Sequence, residues 1–222
     1  MTEPKVASPG TATFLFSDIQ GSTRLEQAIG TPRYGELRQR QRAIVREAVA
    51  ACDGVEQSTE GDSFFVVFPS ARQALAAAVA AQRGLAAEPW PDDAPIRVRM
   101  GLHSGEAQLA GDSLVGLDIN RAARIAAVAN GGQIVASDAT RALAGSSLPD
   151  GVTLRDLGLH RLRDLSQPER LVQVDADGLP RDFPPWRTVY NYFQKWRDDG
   201  TWGRLNDTLR GEVRQRAGRD PT

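Results

Sequence analysis

Apolar and polar positions along this chain follow each other in patterns that mark out most of its elements. Residues 12–16 (ATFLF) form an apolar run of strand length, and the polar stretch SDIQGST ends it ahead of a helical pattern. That pattern predicts a helix over 22–52, interrupted near Gly30, Thr31 and Pro32, with Leu37, Ile44, Val45 and Val49 on one apolar face. Asp53-Gly54 then marks a turn. Residues 55–59 and 63–68 read as two strands of a hairpin with Glu60-Gly61-Asp62 at its tip, facing solvent or a ligand.

Ser70 caps a second, alanine-rich helix that runs to Ala87, where Glu88-Pro89-Trp90-Pro91 ends it. Residues 96–103 and 106–110 are expected to pair as strands around a turn at Ser104-Gly105. A helix over 120–129, a strand over 133–137 and a helix over 138–143, capped by Ser137 or Asp138, follow. Two last strands are expected near 152–159 and 170–174. The order strand, helix, strand, strand, helix, strand predicts an α/β fold, an α+β sandwich on a ferredoxin-like βαββαβ core.

Around this core, residues 1–11 read as a flexible leader, 12–177 as the globular domain and 178–185 (GLPRDFPP) as a proline-rich joint. Residues 186–222 form a helical appendage in which Trp186, Tyr190, Phe193 and Trp196 recur at helical spacing and Trp202 and Leu205 begin a second helix. An aromatic stripe of this kind serves as core or docking surface. The segment holds eight Lys or Arg against five Asp or Glu, which permits weak contact with DNA, although nucleic acid is not the expected partner.

Composition narrows the class. With 222 residues, 41% apolar and 25% charged, the chain has room for one ordinary domain plus a short appendage, and disorder is not expected. The net charge of −1 draws the protein as a whole to neither nucleic acid nor an anionic membrane. A single cysteine, Cys52, excludes an internal disulfide and reads as a small helix residue. The beginning of the chain has no signal-peptide run, and no stretch approaches the roughly 20 apolar residues of a membrane span, so the expected location is cytoplasmic.

The candidate chemistry lies at the element ends. Asp18 stands where the first strand runs out and Asp62 at the hairpin tip, and adjacent elements would bring the two carboxylates together. Hard oxygen donors of this kind suit Mg²⁺ or Mn²⁺, although a turn aspartate and a hairpin aspartate account for the same letters. Ile19-Gln20-Gly21-Ser22-Thr23 leads into a helix whose N–H groups could hold phosphate oxygens; capping by Ser22 or Thr23 explains it equally. Asn120 and Arg124, four apart on one helical face, can orient a ribose and neutralise phosphate charge, or serve as a cap and a solvated arginine. His103 has no second histidine or cysteine nearby and reads as structural, and His160 reads as a surface strand residue.

Taken together and in order, FSDIQGST, TEGDSFFVVF, RVRMGLHSGE, VGLDINRAARI and GGQIVAS resemble the class III adenylate and guanylate cyclases, over residues 11–174. The resemblance implies a nucleotide cyclase that converts ATP, or GTP, to a 3′,5′-cyclic monophosphate and pyrophosphate with two Mg²⁺ or Mn²⁺ ions per site. It implies Asp18, Asp62 and the Ile19 carbonyl as metal ligands, Asn120 and Arg124 as the transition-state pair, and Gly21, Ser22 and Thr23 against phosphates. Arg163, in HRLRDL, stands near a lysine that in such enzymes reaches the phosphates, and is equally read as a solvated arginine. The carboxylates of one subunit meet the Asn/Arg pair of the other, so the implied working form is a homodimer with shared sites.

Two positions depart from the family pattern. Ser58 stands where a purine-reading lysine is usual, and Ser113 aligns with its usual aspartate partner, although Asp112 is adjacent. The choice between ATP and GTP is therefore open, and a catalytically weak nucleotide-sensing module is a second reading. The segment PWRTVYNYFQKWRDDGTW and its continuation resemble the N-terminal helical part of insertion-sequence transposases, without the catalytic domain such enzymes need.

Overall fold

A computed structural model describes residues 10–110, 113–146, 148–180, 200–201, 203–204 and 208. The chain divides into two compact units, Met1–Phe183 and Pro184–Thr222. In the second unit Thr201, Gly203, Arg204 and Thr208 are helical. The aromatic residues expected to form its stripe lie outside the described residues.

The first unit is built on β1 (Thr11–Ile19), α1 (Ser22–Ile29), α2 (Thr31–Ala50), β2 (Val55–Glu60), β3 (Ser63–Phe68), α3 (Ala71–Ala87) and β4 (Val98–Glu106). These strands stand in the order β2-β3-β1-β4, all antiparallel to their neighbours, which is the ferredoxin-like arrangement. A short hairpin, β5 (Gln108–Ala110) and β6 (Ser113–Val115), then leads to α4 (Leu117–Val128), β7 (Ile134–Ser137), α5 (Asp138–Ala144), β8 (Val152–His160) and β9 (Glu169–Ala176). β7 joins β4 in parallel, and β9 and β8 extend the sheet to seven strands.

Period-2 alternation in β1 sends its side chains to two different cores. Leu15 and Ile19 join a cluster with Leu37 and Val45 of α2 and Leu75 and Val79 of α3. Ala12, Phe14 and Phe16 point the other way, against Ile119 and Ala122 of α4. α2 and α3 therefore cover one face of the sheet and α4 the other. Asp18, two residues beyond Phe16, belongs to the α4 face.

α4 lies along β4 because β4 offers it glycines. A Cβ on Gly101 would stand 2.1 Å from Ala126 N, and one on Gly105 would stand 2.1 Å from Asp118 Oδ2. Between them His103 reaches Asp118 at 3.3 Å through Nε2 and Ser137 at 2.8 Å through Nδ1. The helix is thus seated by close backbone approach and by a buried imidazole, with Asp118 also accepting from Glu106 N at 2.9 Å.

Several expectations are corrected here. Ser104-Gly105 makes no turn: β4 runs unbroken through both residues, and Ser104 Oγ meets Thr13 Oγ1 of β1 at 2.8 Å. Residues 108–110 pair with β6 instead, a strand that the sequence pattern left out. β1 extends to Ile19, so Asp18 and Ile19 are strand residues. Glu60 belongs to β2, which leaves Gly61 and Asp62 alone at the tip. α4 begins at Leu117, so Asn120 lies inside the helix and does not cap it. α1 starts after Gly21 with no side-chain cap, so neither Ser22 nor Thr23 plays that part. The break at Gly30 before Pro32, the Ser70 and Ser137 caps and the buried His103 match the sequence reading.

Among the described residues no helix is long and apolar enough to cross a membrane.

Candidate active site

The C-terminal end of β1 and the tip of the β2–β3 hairpin are neighbours because β3 pairs with β1. Gly61, at φ 59°, supplies the left-handed residue that a two-residue connection needs. Asp62 then turns back over β1, where its Oδ2 accepts from the Ile19 backbone N–H at 2.8 Å. Arg42 of α2 holds the tip from the side, donating to the Gly61 carbonyl.

Asp18, Ile19 and Asp62 line one open cleft of about 470 Å³ together with Gly21, Ser22 and Thr23 at the start of α1. Gly21 is left-handed at φ 71°, which swings the chain from β1 into α1. The first N–H groups of α1 have no acceptor within the helix and form a natural anion-facing edge of the cleft. Gln20 pins this loop from behind: its N–H donates to Arg97 O at 2.8 Å, and its Oε1 accepts from Gly131 N at 3.0 Å.

Arg99 is a cleft residue that the sequence reading missed. It stands directly across the β1–β4 ladder from Asp18 and grips both carboxylate oxygens, with 2.9 Å between Nη2 and Oδ2, while its Nη1 donates to Ala127 O of α4 at 3.3 Å. The sequence cue was slight, an arginine in a strand whose stretch also holds Arg97 and His103. The pairing register that aims it at Asp18 is a tertiary fact. On the α2 side, Tyr34 is buried; burial pushes its hydroxyl pKa up, the charge of Asp62 pushes it further, and a hydrogen bond with Ser22 pulls it back.

Asn120 and Arg124 lie elsewhere. Asn120 is exposed on α4, and Arg124 donates to Asp164 at 2.7 Å; neither lines the cleft of the two aspartates. Arg163 is largely in solvent. Ser58 is exposed on β2, where a bulge at Gln57 sets it opposite Phe65 and so on the α4 face of the sheet. There Phe65 stacks on Phe16, centroids 4.6 Å apart. Ser113 begins β6, paired with Ala110, and Asp112 lies outside the described residues.

The donor set fits a hard divalent cation in kind: two carboxylates and a strand-end carbonyl beside an open cleft. Among the described residues no cluster of three or more His, Cys, Asp or Glu side chains forms an alternative centre.

Residues 5–155 match the family described as "Adenylate and Guanylate cyclase catalytic domain", and residues 177–206 match "Putative transposase of IS4/5 family". An uncharacterized protein of Mycobacterium tuberculosis is 40% identical over 182 residues, which are 81% of this chain and 61% of that one. The chain thus spans less than two thirds of that curated relative's length. Adenylate cyclases from Trypanosoma brucei, solved in their monomeric state, superpose with a TM-score of 0.72 at 24% identity, over 85% of this chain and 95% of theirs. The guanylate cyclase domain from Catenaria anguillulae in complex with GTP superposes with a TM-score of 0.65 at 22% identity, over 75% of this chain and 96% of its own. Both structural likenesses are likenesses of fold.

Proposed function

Because the chain belongs to the adenylate and guanylate cyclase catalytic-domain family, we propose that it is a nucleotide cyclase. It makes 3′,5′-cyclic AMP and pyrophosphate from ATP, with GTP as the alternative substrate. In the reaction the ribose O3′ loses its proton and bonds to Pα, while the bond from Pα to the bridging oxygen of pyrophosphate breaks.

The observation that carries this reading is the meeting of Asp18, Ile19 and Asp62 in one cleft at the uncapped start of α1. Asp18, Asp62 and the Ile19 carbonyl would hold Mg²⁺ or Mn²⁺. A divalent cation bound there lowers the pKa of the 3′-hydroxyl and offsets triphosphate charge. The Gly21-Ser22-Thr23 backbone faces the phosphates. Arg99, whose guanidinium already lies in the cleft, shares Asp18 with the cation and can turn to a phosphate.

Asn120 and Arg124 complete the site from a second copy. Their absence from the cleft supports this, since a monomer would leave the developing charge on Pα without the guanidinium. Exposed Leu109, Val115 and Leu117, gathered around β5–β6 and the start of α4, offer such a copy apolar surface. In the homodimer Asn120 orients the ribose, Arg124 neutralises the transition state and Arg163 reaches the outer phosphates. Ser58, with Ser113 or Asp112, faces the purine without the usual lysine, and the ATP/GTP preference is set there. The organisation proposed with it is the one read from the sequence: a leader over 1–11, a catalytic domain over 12–177, a joint over 178–185 and a tail over 186–222.

Purified protein assayed with ATP and with GTP, in Mg²⁺ and in Mn²⁺, tests this directly. Cyclic nucleotide and pyrophosphate in equal amounts are expected. Nucleotide binding with no pyrophosphate from either substrate would favour the sensing module, a reading motivated by Ser58 and Ser113 and supported by the engagement of both Asp18 oxygens with Arg99.

A further inference from the structure

The turn between β8 and β9 carries a feature that the cyclase reading does not use. Leu162 is buried against Ile125 of α4 and Ala129 just past its end, with Leu165 packed beside it, and these two leucines fix the turn onto the helix. Between them stands Asp164 with a left-handed backbone at φ 62°, a conformation shared among the described non-glycine residues only with Asp53. Aspartate tolerates this region better than most side chains. The result is a carboxylate aimed back at α4: its Oδ2 lies 2.7 Å from Arg124 Nη2 and 3.5 Å from Arg163 Nε.

We infer that Asp164 is a positioning residue that yokes Arg124 and Arg163 into one cationic pair presented to the triphosphate of a nucleotide. The inference rests on the cyclase reading of Arg124. Two guanidiniums aimed at one substrate repel each other, and a long arginine side chain samples many rotamers. A carboxylate between them offsets the repulsion and selects one orientation of Arg124. Only one Nη2 donor of Arg124 is used, so Nε and Nη1 stay available to phosphate oxygens.

All three side chains are in contact with solvent, with exposures of 40% for Arg124, 57% for Asp164 and 84% for Arg163. Screening therefore limits the effect, which belongs to orientation and not to folding.

The test compares Asp164→Asn and Asp164→Gly, both of which accept a positive φ. In each, kcat falls about 3- to 5-fold, the KM for nucleotide holds or drops because the uncompensated positive charge attracts triphosphate, and the thermal midpoint is unmoved. In an Arg124→Lys background the further loss from Asp164→Asn disappears, since the carboxylate acts through that guanidinium. Wild-type kcat and KM in Asp164→Asn, or the full loss persisting in the Arg124→Lys background, would overturn the inference while leaving the cyclase reading in place. An Arg124→Ala chain with undiminished turnover would remove the cyclase-site reading itself, and this inference with it.

Discussion

Arg99 and Asp18 face each other across the β1–β4 ladder, and the arginine holds both oxygens of the carboxylate, with Nη2 2.9 Å from Oδ2. A cation bound at Asp18 must therefore share or displace a guanidinium that is already in place. The same arginine reaches Ala127 O, which ties the Asp18 end of β1 to the C-terminal end of α4.

Removing that competitor separates two effects. In Arg99→Ala, Mn²⁺ binds the nucleotide-free protein more tightly, by about 3- to 10-fold, because Asp18 is freed from a charge-assisted pair. Cyclase turnover falls, because a positive charge beside the phosphates is lost. Mn²⁺ titration followed by electron paramagnetic resonance checks the first, and unchanged metal affinity would show that the pair does not compete.

Gly101→Ala tests the seating of α4. The new Cβ would stand 2.1 Å from Ala126 N and 2.4 Å from its Cα, backbone atoms that cannot step aside alone. Overpacking of this kind costs about 1–3 kcal/mol, which in a domain of this size lowers the thermal midpoint by roughly 2–12 °C. Because α4 carries Asn120 and Arg124, turnover drops further than the loss of folded protein explains. A variant with wild-type midpoint and activity would mean that α4 sits free of β4.

His103 gives the fold a pH dependence. Burial depresses its pKa below the ordinary 6.5, with Asp118 raising it and Arg121 lowering it in opposition. Between the two values the unfolded chain takes up a proton that the folded chain refuses, so stability falls as pH drops below about 6.5 toward the folded value. Thermal melts of wild type and His103→Gln from pH 7.5 to 5.5 check this. The stability advantage of wild type should narrow toward the acid end, and a constant difference would assign the acid loss to other groups.

Local pattern carried the reading of sequence as far as local physics reaches. The apolar run of β1, the Gly61-Asp62 tip and the Gly30–Pro32 break were legible because one short window holds both the pattern and its cause. Gly105 was misread as a turn residue because what requires glycine there is Asp118, thirteen positions away, pressed against the strand. The start of α4 was missed because Gly116 precedes it without any capping side chain, and Asn120 drew attention as a residue type that caps helices. The bulge at Gln57, which decides the face on which Ser58 stands, leaves no mark in the letters. Asp18 and Asp62 stood out as chemistry-bearing residues, whereas Arg99 and Asp164 depend on strand register and on a backbone twist that only the folded chain reveals.

Mixing two disabled chains probes the shared site most directly. Asp62→Asn keeps a sound Asn120/Arg124 face, and Arg124→Ala keeps a sound carboxylate cleft, so each is inactive alone. Random pairing of equal amounts makes half the dimers mixed, each with one intact site of two, and restores about a quarter of wild-type turnover. A mixture that stays as inactive as its components, beside an active wild type, would contradict the account.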